Sequence, residues 1–275
     1  FINYNLDKNQ NYKMIPLLKI KIGMKQKISA LIPTFNEEHN ISDAIDSVSW
    51  ADEILVVDSF STDSTIEIAK KKGAKVIQRA YNYPASQKNW AIPQAKNDWI
   101  ILIDADERIP YDLKTEIINI LNRESSFDAF WIRRQNHFMG RKIRFSGWQG
   151  DKVIRLFKRD FCRYEDKNVH EEIICNGKVG VLKTKMTHFT FKDINHYLEK
   201  WDRYTTWSAN ERFLKGENPN FYHFVIKPIF RFTRDYFFKL GFLDGLTGFI
   251  LCILSSMSVF VRSLKIKHLK KSNSN

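Results

Sequence analysis

The stretch "WIILIDADERIP" (Trp99–Pro110) sets four apolar residues, Ile100–Ile103, directly before Asp104, Asp106 and Glu107. A run that is apolar at every position is the pattern of a strand covered on both faces, as in a parallel sheet. Its end is the unusual part. Three carboxylates closing a buried strand need a positive partner, because a buried charge without one is costly.

Upstream, "KISALIP" (27–33), "EILVVD" (53–58) and "KVIQ" (75–78) read as further short strands. The segments between them have helical spacing. Ile41, Ala44, Ile45 and Val48 share one face of 36–48, and 63–74 reads as a helix stopped by Gly73. Residues 84–95 read as a helix bent or ended by Pro93, and 111–122 as another. Thr34 and Glu37 have the spacing of a capping box. Strand and helix alternate with short connections, which predicts an α/β fold: a Rossmann-like, mainly parallel sheet with helices on both faces. Such sheets bind ligands beyond the carboxyl ends of their strands. Here those ends are Pro33-Thr34-Phe35-Asn36-Glu37, Asp58 and Asp104-Ala105-Asp106.

Beyond residue 125 the pattern changes. "FDAFWIRRQNHF" and "KVIRLFKRDF" are strand-like, and "VHEEIICNGKVGVLKTKMTHFTF" alternates around an Asn-Gly turn at 176–177. Helices are expected over 194–214 and 220–238. The run "GLTGFILCILSSMSVFV" (245–261) holds 17 uncharged residues, short of the roughly 20 that a membrane span needs. Basic residues flank it. An interfacial helix on an anionic leaflet is the first reading, a buried amphipathic helix the second and a true span the third. The expected organisation is an N-terminal extension (1–27), a nucleotide-sugar-binding half (28–125), an acceptor-binding and catalytic half (126–215) and a basic apolar helical tail (216–275). The extension reads as disordered or over-translated, with Met14 or Met24 as the expected start.

Charge follows these divisions. The chain carries net +13. Residues 28–190 hold 24 Lys/Arg against 23 acids, whereas residues 191–275 hold 14 against 7. A neutral middle with basic flanks points to an anionic surface at the flanks. Cys162, Cys175 and Cys252 are widely spaced with no C-x-x-C pair, which indicates neither a zinc site nor a disulfide framework.

Asp104 and Asp106 are two residues apart, so in extended chain they face one way. Two hard oxygen ligands suit Mg2+ or Mn2+, which also bind substrate phosphates. Taken alone, a D-x-D pair is as readily a solvated loop or a cap. Its company changes the balance: Asn36, Glu37 and Asp58 end neighbouring strands, and Lys88 on the preceding helix is a candidate cation for phosphate. "NVHEEI" supplies His170, Glu171 and Glu172 as candidates for a general base; in a strand the two glutamates face opposite ways. A zincin is excluded, because H-E-x-x-H would need a histidine where Ile174 stands. His188 is placed near the metal or diphosphate, against the plainer reading of a core histidine. Trp148 with Arg133, Arg134, Arg141 and Arg144 reads as an acceptor surface for anionic sugars, against a solvated basic strand.

"ALIPTFNEEHNI", "EILVVDSFSTDST" and "IILIDADE" resemble, in order and spacing, the nucleotide-sugar motifs of family 2 glycosyltransferases with the GT-A fold. "DSFSTDST", "SQKNWAI", "RLFKR", "VHEEI" and the "GFLDGLTGF" tail resemble the lipopolysaccharide-core β-glucosyltransferase branch. The resemblance covers residues 28 to about 265. It implies that Pro33, Thr34, Asn36 and Glu37 line the base and ribose pocket and that Asp58 contacts the nucleoside. It places Asp104 beside the ribose or metal, Asp106 on the metal that bridges the diphosphate, and Glu171 as base, with Glu172 next. Where the family commonly has two Asp and a Gly, this chain has Asp58, Ser59 and Phe60, a departure that bears on base recognition at Ser59.

The expected activity is inverting transfer of a hexose, glucose from UDP-glucose, onto a lipopolysaccharide core or other lipid-linked glycan. It would take place peripherally at the cytoplasmic face of the bacterial inner membrane, with Mg2+ or Mn2+. Two other classes fit the sequence less well. A nucleic-acid-binding module predicts basic residues among aromatics on the main sheet, but the 28–190 core is nearly neutral. A nucleotidyltransferase would usually bring a Gly-rich phosphate loop, and none opens this chain.

Overall fold

A computed structural model describes residues 26–123, 125–165 and 172–273. The expectations for residues 1–25, for His170 and for Glu171 lie outside the described residues.

The first half alternates as the apolar runs predict. Strands β1 (Ile28–Thr34), β2 (Glu53–Asp58), β3 (Lys75–Gln78) and β4 (Trp99–Leu102) are separated by helices α1 (Ile41–Ser47), α2 (Thr65–Lys71) and α3 (Pro84–Ala91). They pair in parallel in the order β3-β2-β1-β4. Successive side chains on a strand point to opposite faces, and here both faces are covered. Ala30, Ile32, Val56 and Ile101 pack with Ile45 of α1, Ala69 of α2 and Ile117 of α4 (Tyr111–Leu121). Leu31, Leu55, Val57, Ile100 and Leu102 pack on the other side with Ala85 and Ala91 of α3 and with Ile92. Pro93 does end α3, which passes into a 3-10 turn over Ile92–Gln94.

The capping box does not form. Thr34 stays in β1, and α1 begins at Ile41 after Asn40, whose side chain makes no cap. Residues 35–40 are instead a loop fastened to the loop after β2. The Asn36 amide donates to Ser61 Oγ (2.8 Å), the Glu37 amide donates to Thr65 Oγ1 (2.8 Å), and Asn36 Oδ1 accepts from the Thr62 amide (2.9 Å). Thr65 thus takes the Glu37 amide that a capping box would have given to Thr34.

The second half extends the same sheet. β5 (Glu107–Arg108), β6 (Ala129–Phe138), β7 (Arg141–Lys142), β8 (Lys152–Lys158), β9 (Cys162–Tyr164), β10 (Ile173–Cys175) and β11 (Val179–Phe191) follow in the chain. β8 inserts antiparallel between β4 and β6, β11 lies parallel to β6, and β5 closes the far end against β11. The two expected halves thus share one mixed sheet. Only residues 103–106 connect β4 to β5. Five Cα steps reach at most about 18 Å, whereas four strand spacings on a flat sheet need about 19 Å. The sheet must therefore curl, which carries the acidic turn across the ends of β8 and β6. β5 was not legible in the sequence, because two residues carry no period.

The Asn-Gly at 176–177 does not close a hairpin: β10 pairs with β9 and β11 with β6. Gly177 is needed for space, since a Cβ there would collide with the Asp128 side chain, which accepts the Lys178 amide at 3.0 Å. The expected helices appear as α5 (Ile194–Leu214) and as a helical segment to Phe238 built around α6 (Lys227–Thr233). Pro228 lacks an amide hydrogen, and the turn before it widens to π-helical geometry over Tyr222–Ile226. The chain ends in α7 (Gly245–Ser272), which packs on α5 and α6. Trp148 belongs to the small core of Phe138, Ile143, Tyr197 and Leu251, its ring 6.4 Å from that of Phe138. It is half-buried there, so one side of the ring serves packing.

Candidate active site

Burial alternates along the acidic turn. Asp104, Asp106 and Arg108 are half-buried, while Ile103, Ala105 and Glu107 are buried. The expectation that the two aspartates share a side is met in exposure. Their partners, however, are separate.

Asp104 and Glu107 turn to cations supplied by this chain. Glu107 is fully buried. Its Oε2 accepts the Asp104 amide (3.0 Å), and its Oε1 accepts Arg155 Nη2 (2.9 Å) and lies 3.4 Å from Arg134 Nη1. Arg155 Nη2 also donates to Asp104 Oδ2, and Lys88 Nζ stands 3.7 Å from Asp104 Oδ1. Burial works against ionised Asp104, but Arg155 and then Lys88 more than offset it and hold the carboxyl well below the usual range. Burial likewise opposes charge on Arg155, and Asp104 and Glu107 reverse this, so the guanidinium stays charged. Tyr164 lies between the two cations: its hydroxyl accepts from Arg155 Nη1 (3.2 Å), and Lys88 Nζ sits 4.8 Å from its ring centroid. Asn89 fixes Tyr164 by two backbone bonds of 2.8 Å. Lys88 is buried, not a solvated charge.

Asp106 faces a different set. The register pairs His188 with Glu107, so β11 brings the imidazole beside the turn. His188 Nε2 is 3.6 Å from Asp106 Oδ2, and Lys200 Nζ, from α5, is 3.7 Å from the same oxygen. Burial opposes ionised Asp106, and His188 and Lys200 outweigh it, keeping the pKa below its ordinary value. Behind His188 stands a fixed chain. Arg134 grips Asp151 in a two-point bond (2.8 and 2.9 Å), Asn136 Nδ2 donates to Asp151 (2.8 Å), and Asn136 Oδ1 lies 2.6 Å from His188 Nδ1. With the amide nitrogen committed to Asp151, Asn136 presents its oxygen, which assigns a proton to Nδ1 and turns Nε2 toward Asp106.

That geometry tests the expected metal. Asp106 Oδ2 and His188 Nε2 stand 3.6 Å apart, both able to ligate a metal when the imidazole is neutral, and a remote hydrogen bond orients the histidine as in metal sites generally. Among the described residues no three His, Cys, Asp or Glu side chains converge on one point. A two-donor set fits Mg2+ or Mn2+, which retain water and phosphate ligands.

The other expected residues form the rim beyond β1 and β2. Pro33 and Thr34 end β1, and Thr34 Oγ1 is buried without a hydrogen-bond partner. Burial pushes the Glu37 carboxyl up, against a lowering bond from Asn40 (2.7 Å). Asp58 is fully enclosed, accepting the Ser61 amide (2.9 Å) and Gln78 Nε2 (3.2 Å), so contact with a nucleoside would require exchanging a partner. Glu172 is exposed, its carbonyl accepting the Glu165 amide at 2.8 Å. Sequence reasoning missed Arg155, Lys200 and the role of Glu107. Arg155 had a signal, a charge interrupting the apolar run "VIRLF"; Lys200 had none.

A family model described as Glycosyl transferase family 2 matches residues 29–178. An uncharacterized glycosyltransferase of Rickettsia conorii is 30% identical over 258 residues, covering 89% of this chain and 91% of the relative. The lipopolysaccharide core biosynthesis glycosyltransferase LpsC of Rhizobium meliloti is 28% identical over 260 residues, covering 91% of this chain and 96% of the relative. Among solved structures, glucosyl-3-phosphoglycerate synthase of Mycobacterium tuberculosis, in complex with Mn2+, uridine diphosphate and glucosyl-3-phosphoglycerate, superposes on 41% of this chain and 44% of its own. The identity there is 25% and the TM-score 0.35, a likeness confined to less than half of either chain.

Proposed function

Since the chain belongs to glycosyl transferase family 2 and is a glycosyltransferase, we propose that it moves glucose from UDP-glucose onto a lipopolysaccharide core or other lipid-linked glycan, with inversion, at the cytoplasmic face of the inner membrane. The observation that carries the reading is the meeting of Asp106, His188 and Lys200 at the strand ends, 3.6 and 3.7 Å apart. Similarity to a lipopolysaccharide core glycosyltransferase supports the class of acceptor.

Asp106 and His188 would hold the Mg2+ or Mn2+ ion, which when bound offsets the negative charge on the leaving diphosphate. Lys88 and Lys200 approach the acidic turn from α3 and α5. They supply further positive charge where the leaving group develops its own, the kind of preorganised stabilisation that lowers a transfer barrier. Pro33, Thr34, Asn36, Glu37 and Asp58 form the nucleoside end of the pocket, and Thr34 Oγ1 offers it an unused buried hydroxyl. Asp104, held by Arg155 and Lys88, sits between the nucleoside and metal ends. Glu171 is the proposed base for the acceptor hydroxyl.

A screen of nucleotide sugars for Mn2+- or Mg2+-dependent binding tests this. UDP-glucose is expected as the tightest ligand, with binding lost on chelation. Binding of oligonucleotides alone would sink the reading. Glu171→Gln should keep donor binding and lose transfer by about 10²-fold or more; unchanged transfer would eliminate it as base.

A further inference from the structure

The apolar run 245–261 becomes the first part of α7, and its surroundings show how it meets a membrane. Among the described residues, 17 of the 29 large hydrophobic side chains that stand exposed lie between Leu214 and Leu264. On α7, Leu246, Ile250, Met257 and Leu264 recur at helical spacing as one outward stripe. Phe230 and Phe238 stand out from the neighbouring helix, 60% and 78% exposed. Ring contacts at 5.8 Å (Phe224–Phe260) and 6.0 Å (Phe232–Phe249) join the two helices into one layer. Continuous exposed apolar surface of this kind marks an interaction site.

We propose that this two-helix layer lies flat on an anionic phospholipid leaflet and that α7 does not cross the bilayer. Both ends of the apolar stretch are bonded to the same body. At its start, Asp244 accepts the amides of Arg144 and Phe145 and the Ser146 hydroxyl, each at 2.9 Å. Beyond its end, Lys265 Nζ donates to Asp202 (2.7 Å), Thr205 (2.9 Å) and Thr206 (2.6 Å) on α5. A spanning helix has its ends on opposite sides of the membrane, so spanning would break one set of bonds or drag the charged α5 into hydrocarbon. By length and composition the helix over Gly241–Ser272 could cross a membrane, so the bonding of its two ends is what decides against a span.

Charge selects the lipid. Residues 214–272 carry ten Lys/Arg and three acids. Arg231, Arg234 and Lys239 surround the single buried carboxylate of Asp235, leaving excess positive charge beside the exposed rings. Apolar side chains edged by such cations are the composition of an interfacial anchor on an anionic leaflet.

The layer also orients the site. The loop held by Asp244 continues to Asp151, which holds Arg134 and Asn136 behind His188. The inference deepens the lipid-linked acceptor reading, because it sets the pocket at the surface from which such an acceptor comes.

Flotation of the full chain with vesicles tests it. The protein should float with phosphatidylcholine vesicles containing phosphatidylglycerol, float at least ten-fold less with phosphatidylcholine alone, and be released by alkaline carbonate. Phe238→Asp with Leu246→Asp should cut flotation at least ten-fold while circular dichroism and Mn2+–UDP binding stay unchanged. Retention after carbonate would overturn the proposal in favour of a span. Equal flotation by the double variant, or no flotation by the native chain, would overturn it as well. A native chain that floats as expected yet transfers no sugar would count against the proposed activity and leave this inference standing.

Discussion

Two regions of this chain invert the usual division between a charged outside and an apolar inside. In the acidic turn, residues 104–107, carboxylates face inward, and Glu107 has no exposed surface. In the helical layer, residues 214–264, large apolar side chains face outward. The turn brings its partners with it: Arg155, Arg134 and Lys88 answer Asp104 and Glu107 within the same fold. The helical layer has no such answer among its own residues. A buried charge that is already paired stays where it is, whereas exposed apolar surface is addressed to something outside the chain. Within the turn the same contrast recurs on a smaller scale. Asp104 and Glu107 are engaged by the fold's guanidinium groups, and Asp106 is left facing an imidazole and one ammonium.

The contrast can be broken at several points. The largest effect belongs to Asp106→Ala, which should abolish transfer and Mn2+-dependent donor binding while circular dichroism shows an unchanged fold. A variant with full activity would remove the metal role. Glu107→Ala attacks the inward charges and should cost about 3–5 kcal/mol of folding stability in urea unfolding, because it removes one of the two carboxylates that hold Arg155 in the interior. A loss below about 1 kcal/mol would mean that Arg155 finds its compensation elsewhere.

Acid offers a milder probe. Burial opposes ionisation of Asp151 and Glu116, but the Arg134 bonds to the first and the backbone amides on the second hold both pKa values below the ordinary 3.8 and 4.5. Each group binds more protons unfolded than folded between those limits. Its contribution is therefore complete above the ordinary value and lost as pH falls through the folded one. Thermal unfolding should shift down as pH is lowered from 4.5, and Asp151→Asn should flatten the slope. The smallest effect is expected from the outward apolar side. Phe238→Ser should change unfolding free energy by less than about 0.5 kcal/mol, because the ring is exposed in the free protein. A loss of several kcal/mol would show that the layer serves folding.

Much of the first half was legible because its information is local. Apolar runs at 30–33, 54–57 and 99–103 pointed to parallel strands, and helical spacing filled the intervals. The capping box failed because Thr34 stays in β1 and Thr65, from the start of α2, takes the Glu37 amide. The candidate site was legible in its acids and not in its cations. Strand ends advertise Asn36, Asp58, Asp104 and Asp106 directly. Arg155 and Lys200 arrive from β8 and α5, and only the curl of the sheet brings those elements to the turn.

The sequence by itself determined the alternation of strands and helices, the acids at three strand ends, the family resemblance and the basic apolar tail. These depend on period, spacing and composition, which neighbouring residues carry. Tertiary structure decided which charge meets which. The stretch 103–106 spans four strand spacings only if the sheet curls, and that curl sets Glu107 against Arg155 and Asp106 against His188. It also decided the fate of the apolar tail, whose two ends are bonded to one body. Neither outcome is written in any local pattern, because each joins residues far apart in sequence.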